Sequence, residues 1–211
     1  MTSISLKDKI RMDVWRAMME KNVALPPFPI YGRIPNFKGA EEAALKLRSI
    51  DEYVEAEVVL CNPDSPQRAL REMVLRDGKI LIVATPRLSR GFVALHKPKD
   101  AAYASTIKGF MELGRPVKPG DYRVDVFVAG SVAVSLEGHR LGKGTGFSDI
   151  EYKLWSNAGS ITDETLRVTT VHDIQVVYYV PRDEWDVPVD LILTPTRILW
   201  TAQAKRFRIS S

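Results

Sequence analysis

Short, uninterrupted runs of apolar and β-branched residues recur along the chain and alternate with segments of helical periodicity. The runs cover residues 58–61, 79–84, 124–131, 166–171 and 191–194. Because these runs have no polar side, they predict strands that are buried on both faces of a sheet. Their alternation with helices is typical of a mainly parallel sheet between two helical layers. The sequence therefore predicts an α/β fold of the three-layer α/β/α class.

The segments between the strands predict the helices, and the strand ends predict the side of the sheet on which a ligand binds. Helices are predicted over 5–22, 40–50, 66–76 and 149–158, and residues 88–123 are expected to be irregular with one helix near 104–113. Ligands of parallel sheets bind beyond the carboxyl ends of the strands, so the loops after residues 61, 84, 130 and 171 are the ones to consider. With 211 residues, we expect one domain, 1–211, with a helical N-terminal extension over 1–50.

A glycine-rich loop precedes the helix predicted from residue 149. Residues 138–149 contain four glycines together with Arg140 and Lys143. Ser148 and Glu151 have capping-box spacing, which would place helix amides beside the glycines. Free amides and a helix N-terminus bind anions, so the loop predicts a phosphate site; the alternative is a flexible turn without a ligand. The spacing matches neither a Walker A loop nor the dinucleotide fingerprint.

Asp149 follows the glycines directly and has two equally good interpretations. It can stabilise the helix N-terminus, or it can bind a Mg²⁺ ion that also contacts phosphate oxygens. The residues alone leave both open.

Composition excludes several classes of protein. The single cysteine, Cys61, rules out an internal disulfide and a cysteine-rich zinc site, and its apolar surroundings predict a buried thiol. Thirty basic and 26 acidic residues are interspersed, so the net charge of +4 indicates no clear nucleic-acid site. No segment approaches the ~18 apolar residues of a membrane span. We therefore expect a cytoplasmic protein with no membrane partner.

Two further sets of polar residues lie near predicted strand ends. His172 and Asp173 are either a catalytic dyad or, as we favour, a strand-end cap, since adjacent strand residues point to opposite faces. Arg87 and Arg90 follow the second strand and are minor candidates for binding an anionic ligand tail, with ordinary surface charge as the alternative.

The loop resembles that of the 5-formyltetrahydrofolate cyclo-ligases, the methenyltetrahydrofolate synthetase family, which carry Gly-x-Arg-Leu-Gly-x-Gly-x-Gly-Tyr-Tyr-Asp. Lys7 and Arg11 resemble the basic pair that opens the family sequence, and Gln175 and the segment 186–190 resemble its closing pattern. The stretches 62–67 and 171–176 are most similar to the subgroup of methenyltetrahydrofolate synthetase domain-containing proteins. The implied fold is similar to that of CoA-transferase-like proteins.

The resemblance implies an ATP-dependent ligase that acts on a reduced folate. ATP would phosphorylate the formyl oxygen of 5-formyltetrahydrofolate, the ring nitrogen would close on that carbon, and phosphate would leave to give 5,10-methenyltetrahydrofolate. Arg140 and Asp64 are the implied catalytic residues, and Asp149 is the implied Mg²⁺ ligand. The implied ATP-binding residues are Lys7, Arg11, Gly138, Arg140, Gly142, Lys143, Gly144, Thr145, Gly146 and Phe147.

The chain departs from the family pattern at the side that the resemblance assigns to the folate. Phe147 and Ser148 stand where the family has two tyrosines, and Asp64 and Gln67 stand where it has an acidic residue followed by threonine. These departures leave a second hypothesis, a non-catalytic nucleotide-binding module with an RNA-related partner. A third hypothesis, another enzyme on the same scaffold, rests on fold analogy alone.

Overall fold

The computed structural model describes residues 4–207. Its α-helices are α1 Leu6–Glu20, α2 Ala40–Leu45, α3 Asp51–Glu55, α4 Arg68–Arg76, α5 Ala101–Ala104, α6 Ile107–Leu113 and α7 Phe147–Asn157. Its strands are β1 Ala24–Leu25, β2 Asn36–Phe37, β3 Val58–Cys61, β4 Ile80–Ala84, β5 Phe92–His96, β6 Arg115–Val117, β7 Val126–Ala129, β8 Ala133–Val134, β9 Arg140–Leu141, β10 Leu166–Thr170, β11 Leu191–Leu193 and β12 Ile198–Trp200.

Eight strands form the central sheet in the order β12-β11-β10-β7-β3-β4-β5-β6. The five strands from β11 to β4 are parallel to one another, and they contain the apolar runs read from the sequence. Strand β12 pairs antiparallel with β11 at one end of the sheet, and at the other end β5 pairs antiparallel with β4 and β6 pairs antiparallel with β5. The mainly parallel sheet confirms the expected three-layer α/β/α class.

Both faces of the parallel strands are covered, because successive side chains point to opposite sides. Val59 and Cys61 of β3 belong to the core on the face where α4 packs, through residues such as Leu70. Val58 and Leu60 belong to the opposite core, where Trp155 of α7 is fully buried. This two-sided burial explains why the strands lack alternating polar residues.

The segment expected to be irregular contains more structure than the sequence indicated. Residues 88–123 include the antiparallel strands β5 and β6 as well as α5 and α6. The helix predicted over 40–50 ends at Leu45 and continues as a 3-10 turn, and α3 follows it. Strand β12 was also missed. These elements are three to seven residues long, and their pairing with distant partners determines them more than their own sequence pattern does.

The N-terminal residues pack closely onto the rest of the protein. Trp15 and Met18 of α1 are buried in one cluster with Val132 and Ala133 around β8. Leu47 is buried in the main core under the sheet. Helix α1 is thereby held against the carboxyl-end loops of the sheet. None of the helices within residues 4–207 has the length and apolar character that crossing a membrane requires.

Candidate active site

The carboxyl ends of β3, β4 and β7 open into one cleft with a volume of about 900 Å³. Asn62 and Asp64 follow β3, Arg87 follows β4, and Gly130 follows β7, and all four line the cleft. Three of the four loops expected on the ligand side therefore meet here. In the fourth, His172 caps the 3-10 turn at residues 173–175 by accepting a hydrogen bond from the amide of Ile174.

The glycine-rich loop forms one wall of this cleft and leads directly into α7. Gly144 and Gly146 have φ angles of 102° and 70°, a left-handed conformation that favours glycine. Gly146 is the N-cap residue, and Phe147 begins the helix. Residues 142–149 line the cleft, so the positive end of the α7 dipole faces it.

The predicted capping box is wrong, and the reason lies in tertiary contacts. Helix α7 begins at Phe147, before Ser148, and its cap is the left-handed Gly146 with no side-chain hydrogen bond. The Ser148 hydroxyl is buried and has no hydrogen-bond partner within residues 4–207. Glu151 turns instead toward Asn62 and accepts a hydrogen bond from its Nδ2.

Arg140 is buried behind the loop and connects β7 with α7. Its Nη1 donates to the carbonyl oxygen of Gly130 at 3.0 Å, and its Nη2 donates to Asp149 at 3.1 Å. Asp149 also accepts from the amide of Val187. Because its side chain is only 2% exposed, the Arg140 guanidinium is fixed in place and contributes a preorganised positive charge under the loop.

Helix α1 brings two further cations to the same wall. Arg11 Nε donates to the carbonyl oxygen of Gly142 at 2.8 Å, and its Nη1 pairs with Asp8. Lys7 contacts Asp183 and Asp186, each at 2.6 Å. Burial lowers the pKa of Lys7, but its hydrogen bonds to these two carboxylates outweigh burial and raise it. Both side chains line the cleft with the loop, although they lie more than 120 positions from it in sequence.

Two carboxyl groups lie on the floor of the cleft. Asp64 accepts from Nζ of Lys143 at 3.1 Å. Glu151 is 3% exposed, and burial, together with the negative charge of Asp64, raises its pKa to about 8. The orientation of Asn62 is fixed, since its Oδ1 accepts from the amide of Gly130 at 2.9 Å and its Nδ2 must then point to Glu151. Glu151 is therefore a neutral acid at neutral pH.

Most residues implied by the resemblance meet at this cleft. The cleft is lined by Lys7, Arg11, Asp64, Arg140, Gly142, Lys143, Gly144, Thr145, Gly146, Phe147 and Asp149. Gly138 is placed elsewhere. It lies in the turn between β8 and β9, where an added Cβ atom would be 2.4 Å from the carbonyl oxygen of Val189. Glycine is required at this position for two reasons: its φ is 87°, and the neighbouring backbone leaves no room for a side chain.

Several cleft residues were not found from the sequence. Asn62 and Glu151 form the hydrogen-bonded pair on the floor, and Tyr31 and Trp185 supply exposed aromatic surface at the walls. The sequence identified Glu151 only as a candidate for capping the helix. Tyr31 and Trp185 lie in loops, where no periodicity signals that a side chain faces a ligand.

The side chains present suit a metal ion that arrives with phosphate. Within residues 4–207, no group of three or more His, Cys, Asp or Glu side chains is arranged as a metal site. Asp149 offers one carboxylate at the start of α7, beside the glycine-rich loop; its Oδ1 accepts from Arg140 and from the amide of Val187, so a metal ion would be bound through Oδ2. Mg²⁺ in phosphate sites is bound by one or two carboxylates and completes its shell with phosphate oxygens and water, which this donor set fits.

The fold and the cleft define a three-layer α/β/α protein with a glycine-rich loop that leads into a helix N-terminus beyond the carboxyl ends of its parallel strands. The sequence profile of the 5-formyltetrahydrofolate cyclo-ligase family matches residues 3–195, and the chain belongs to this family.

Curated relatives agree with this assignment. The chain is 42% identical over 202 residues to a methenyltetrahydrofolate synthase domain-containing protein of Danio rerio, covering 91% of this chain and 53% of that protein. The Homo sapiens protein of the same name is 38% identical over 205 residues, covering 92% of this chain and 53% of the relative. The chain thus spans about half the length of these relatives.

A solved structure shares the fold. The structure of 5,10-methenyltetrahydrofolate synthetase from Aquifex aeolicus superimposes with a TM-score of 0.61 at 23% identity, covering 93% of each chain. At this identity, the likeness supports the architecture. The family assignment rests on the profile and on the curated relatives.

Proposed function

We propose that the chain catalyses the ATP- and Mg²⁺-dependent cyclisation of 5-formyltetrahydrofolate to 5,10-methenyltetrahydrofolate, with release of ADP and phosphate. The observation that carries this proposal is the convergence of four cations, Lys7, Arg11, Arg140 and Lys143, on one glycine-rich loop at a helix N-terminus. Family membership supplies the chemistry, and the cleft has room for a nucleotide tail together with a second ligand.

The phosphate half of the site would be formed by the loop and its cations. Amides at residues 142–147 and the start of α7 would bind phosphate oxygens, as helix N-termini do. Arg140 would stabilise the charge that develops on the transferred phosphoryl group, because it is already fixed and desolvated. Asp149 would hold Mg²⁺, and the bound ion would neutralise part of the phosphate charge.

The folate half would lie on the floor and the opposite wall. The formyl oxygen takes the γ-phosphoryl group, the ring nitrogen then bonds to the formyl carbon, and the carbon–oxygen bond breaks as phosphate leaves. The nitrogen loses one proton in this sequence. Asp64 lies on the cleft floor beside Lys143, where its carboxylate would accept that proton. Phe147 and Trp185 would contact the pterin ring in place of the two tyrosines of the family.

The decisive assay combines the protein, MgATP and 5-formyltetrahydrofolate and follows the absorbance of the methenyl product. We expect product formation that depends on both ATP and Mg²⁺. Arg140→Ala is expected to weaken ATP binding more than folate binding, and equal losses would contradict the phosphate assignment. Arg11→Ala is expected to raise the KM for ATP about tenfold, the effect of losing one charge-assisted contact.

Arg16 provides a matched control on the same helix. Its side chain is 60% exposed and it does not line the cleft, so Arg16→Ala should leave the KM for ATP unchanged. ATP binding without any product would reject the ligase and favour the non-catalytic nucleotide-binding module. RNA retention that survives raised salt would support an RNA-related partner, because charge-driven binding weakens with salt. A cytoplasmic location stays a prediction, checked by cell fractionation.

A further inference from the structure

Helix α4 carries a buried arginine that the proposed reaction does not use. Arg71 is only 1% exposed, and it does not line the cleft. Within residues 4–207 it forms no ion pair with a carboxylate. Removing a charged side chain from water is costly unless the protein replaces the lost hydration. An apolar side chain of similar size would avoid this cost, so packing alone does not account for an arginine here.

The guanidinium group of Arg71 exchanges its hydration for three backbone carbonyl oxygens. Its Nη1 donates to the carbonyl oxygens of Asn62 at 2.8 Å and Asp64 at 3.0 Å. Its Nε donates to the carbonyl oxygen of Ser105 at 3.0 Å, and the guanidinium carbon lies 5.7 Å from the centre of the Phe110 ring. Ser105 follows α5 and Phe110 belongs to α6, so the guanidinium group joins these packed helices to the segment after β3.

The backbone of the segment after β3, residues 62–66, has few hydrogen-bond donors of its own. Pro63 and Pro66 have no amide hydrogen to donate. The amide of Gln67 donates to the carbonyl oxygen of Asp64 at 3.2 Å and closes a turn. The two hydrogen bonds from Nη1 bracket Pro63 and Asp64, and they therefore fix the backbone from which the Asp64 side chain extends.

The two residues that Arg71 holds by their backbone present their side chains to the cleft. Asp64 Oδ1 accepts from Nζ of Lys143, and Oδ2 lies 3.1 Å from the position that a Cβ atom on Gly130 would occupy. Asn62 Oδ1 accepts from the amide of Gly130. Because the carboxylate packs this closely against Gly130, a small displacement of the turn moves it relative to the cleft floor.

We infer that Arg71 is a positioning residue: by fixing the turn after β3, it holds the Asp64 carboxylate where that group accepts the ring-nitrogen proton, without touching the ligand. In this step the N–H bond breaks and an O–H bond forms on the carboxylate. The inference rests on the proposed function, which gives Asp64 this task. The donors of a guanidinium group have fixed directions in one plane, whereas a lysine ammonium is a single point of charge. Arg71→Lys therefore keeps the charge and loses the geometry.

The experiment is a double-mutant cycle on kcat with Arg71→Lys and Asp64→Asn. Arg71→Lys should lower kcat about tenfold, because a displaced base transfers protons poorly. It should change the KM for MgATP less than about twofold, because Arg11 holds the glycine-rich loop by a separate contact. Asp64→Asn keeps the carbonyl oxygen that Arg71 binds and should lower kcat about a hundredfold.

The double variant decides whether Arg71 acts through Asp64. In the Asp64→Asn protein, Arg71→Lys should lower kcat less than about twofold, because the group that it displaces is no longer a base. A loss of about tenfold in both backgrounds would show that Arg71 acts by another route, and it would overturn the inference.

Amide hydrogen exchange, measured by NMR without substrate, tests the turn itself. The amides of Gly130 and Gln67 donate to the two residues that Arg71 fixes, and they should exchange about tenfold faster in Arg71→Lys. Amides within α7 should keep their wild-type rates, which excludes general destabilisation. Unchanged rates at both positions would reject the positioning role. Arg76→Met is the matched control, because Arg76 lies on the same helix with its side chain 58% exposed; its kcat and exchange rates should equal those of the wild type.

Failure of this inference and failure of the proposed function are distinguishable. If the wild type forms no product from MgATP and 5-formyltetrahydrofolate, the ligase is rejected, and amide exchange alone decides whether Arg71 fixes the turn. If the wild type is active and the two losses multiply, the inference is rejected and the ligase stands. Arg71→Met, which carries no buried charge, is the second variant if Arg71→Lys does not fold. If neither variant folds, Arg71 is a determinant of folding and the positioning role is rejected.

Discussion

Replacing the buried carboxyl group of Glu151 by an amide should stabilise the protein, by an amount that increases with pH. Burial and the neighbouring Asp64 charge raise the pKa of Glu151 from its ordinary value of 4.5 to about 8 in the folded protein. Below pH 4.5 the folded and unfolded chains both hold the proton. Between 4.5 and 8 only the unfolded chain releases it, so the wild type loses stability as pH rises.

The magnitude follows from the interval between the two pKa values. At 1.36 kcal/mol per pH unit, and with the slope falling off near each pKa, the wild type loses ~3 to 4 kcal/mol between pH 4.5 and pH 7.5, and ~4 kcal/mol by pH 8. Glu151→Gln has no proton to lose and keeps a carbonyl oxygen that can accept from Asn62. The stability difference between the variant and the wild type should therefore rise by about 1.4 kcal/mol per pH unit over this range.

Urea unfolding monitored by tryptophan fluorescence measures this difference at pH 5, 6, 7 and 8, without added nucleotide or metal ion. Other titrating groups contribute equally to both proteins and cancel. Glu55→Gln, at an exposed position on α3, controls for the amide substitution and should change stability by less than about 0.5 kcal/mol. If the difference in unfolding free energy between Glu151→Gln and the wild type stayed constant from pH 5 to pH 8, the conclusion that Glu151 is a buried neutral acid would be refuted.

Three further substitutions test separate parts of the structure. Lys143→Gln should raise the KM for ATP about tenfold, because a charge-assisted phosphate contact is lost, and an unchanged KM in steady-state kinetics would contradict its role. Gly138→Ala should destabilise the protein by ~1–3 kcal/mol in urea unfolding, through a clash with the Val189 carbonyl, while ATP affinity stays within about twofold. Asp190→Asn should cost ~3 kcal/mol of unfolding free energy, because it removes the buried partner of Arg167 and Arg206; a loss below about 1 kcal/mol would exclude this explanation.

The parallel core of the fold could be predicted because each strand carries its own signal. Runs such as 58–61 and 124–131 are apolar at every position, and a strand buried on both faces has that composition wherever its neighbours lie. Strand β6 at Arg115–Val117 has no such signal. It contains a proline and is mostly exposed, and only its pairing with β5 makes it a strand.

The candidate site likewise has one part that the sequence predicts and another part that it does not. The loop at 138–149 was visible because glycines, cations and a following helix are adjacent in sequence. The contacts that complete the cleft join residues far apart, such as Arg11 with Gly142 or Asn62 with Glu151, and no local pattern predicts which partners meet. Glu151 shows how a local rule fails: its spacing from Ser148 suits a cap, but the buried amide of Asn62 binds it instead.

The hydrogen bond from Arg11 to the carbonyl oxygen of Gly142 makes α1 a natural place to observe ligand binding with a fluorescent dye. Met12 is the next residue along the helix and is 41% exposed, so Met12→Cys would place a thiol at the protein surface. The natural cysteine, Cys61, is fully buried and should resist the same reagent. A maleimide dye at position 12 would then sit one residue from the bond that joins the helix to the loop, and a change in its emission on addition of MgATP would report the proposed binding at that loop.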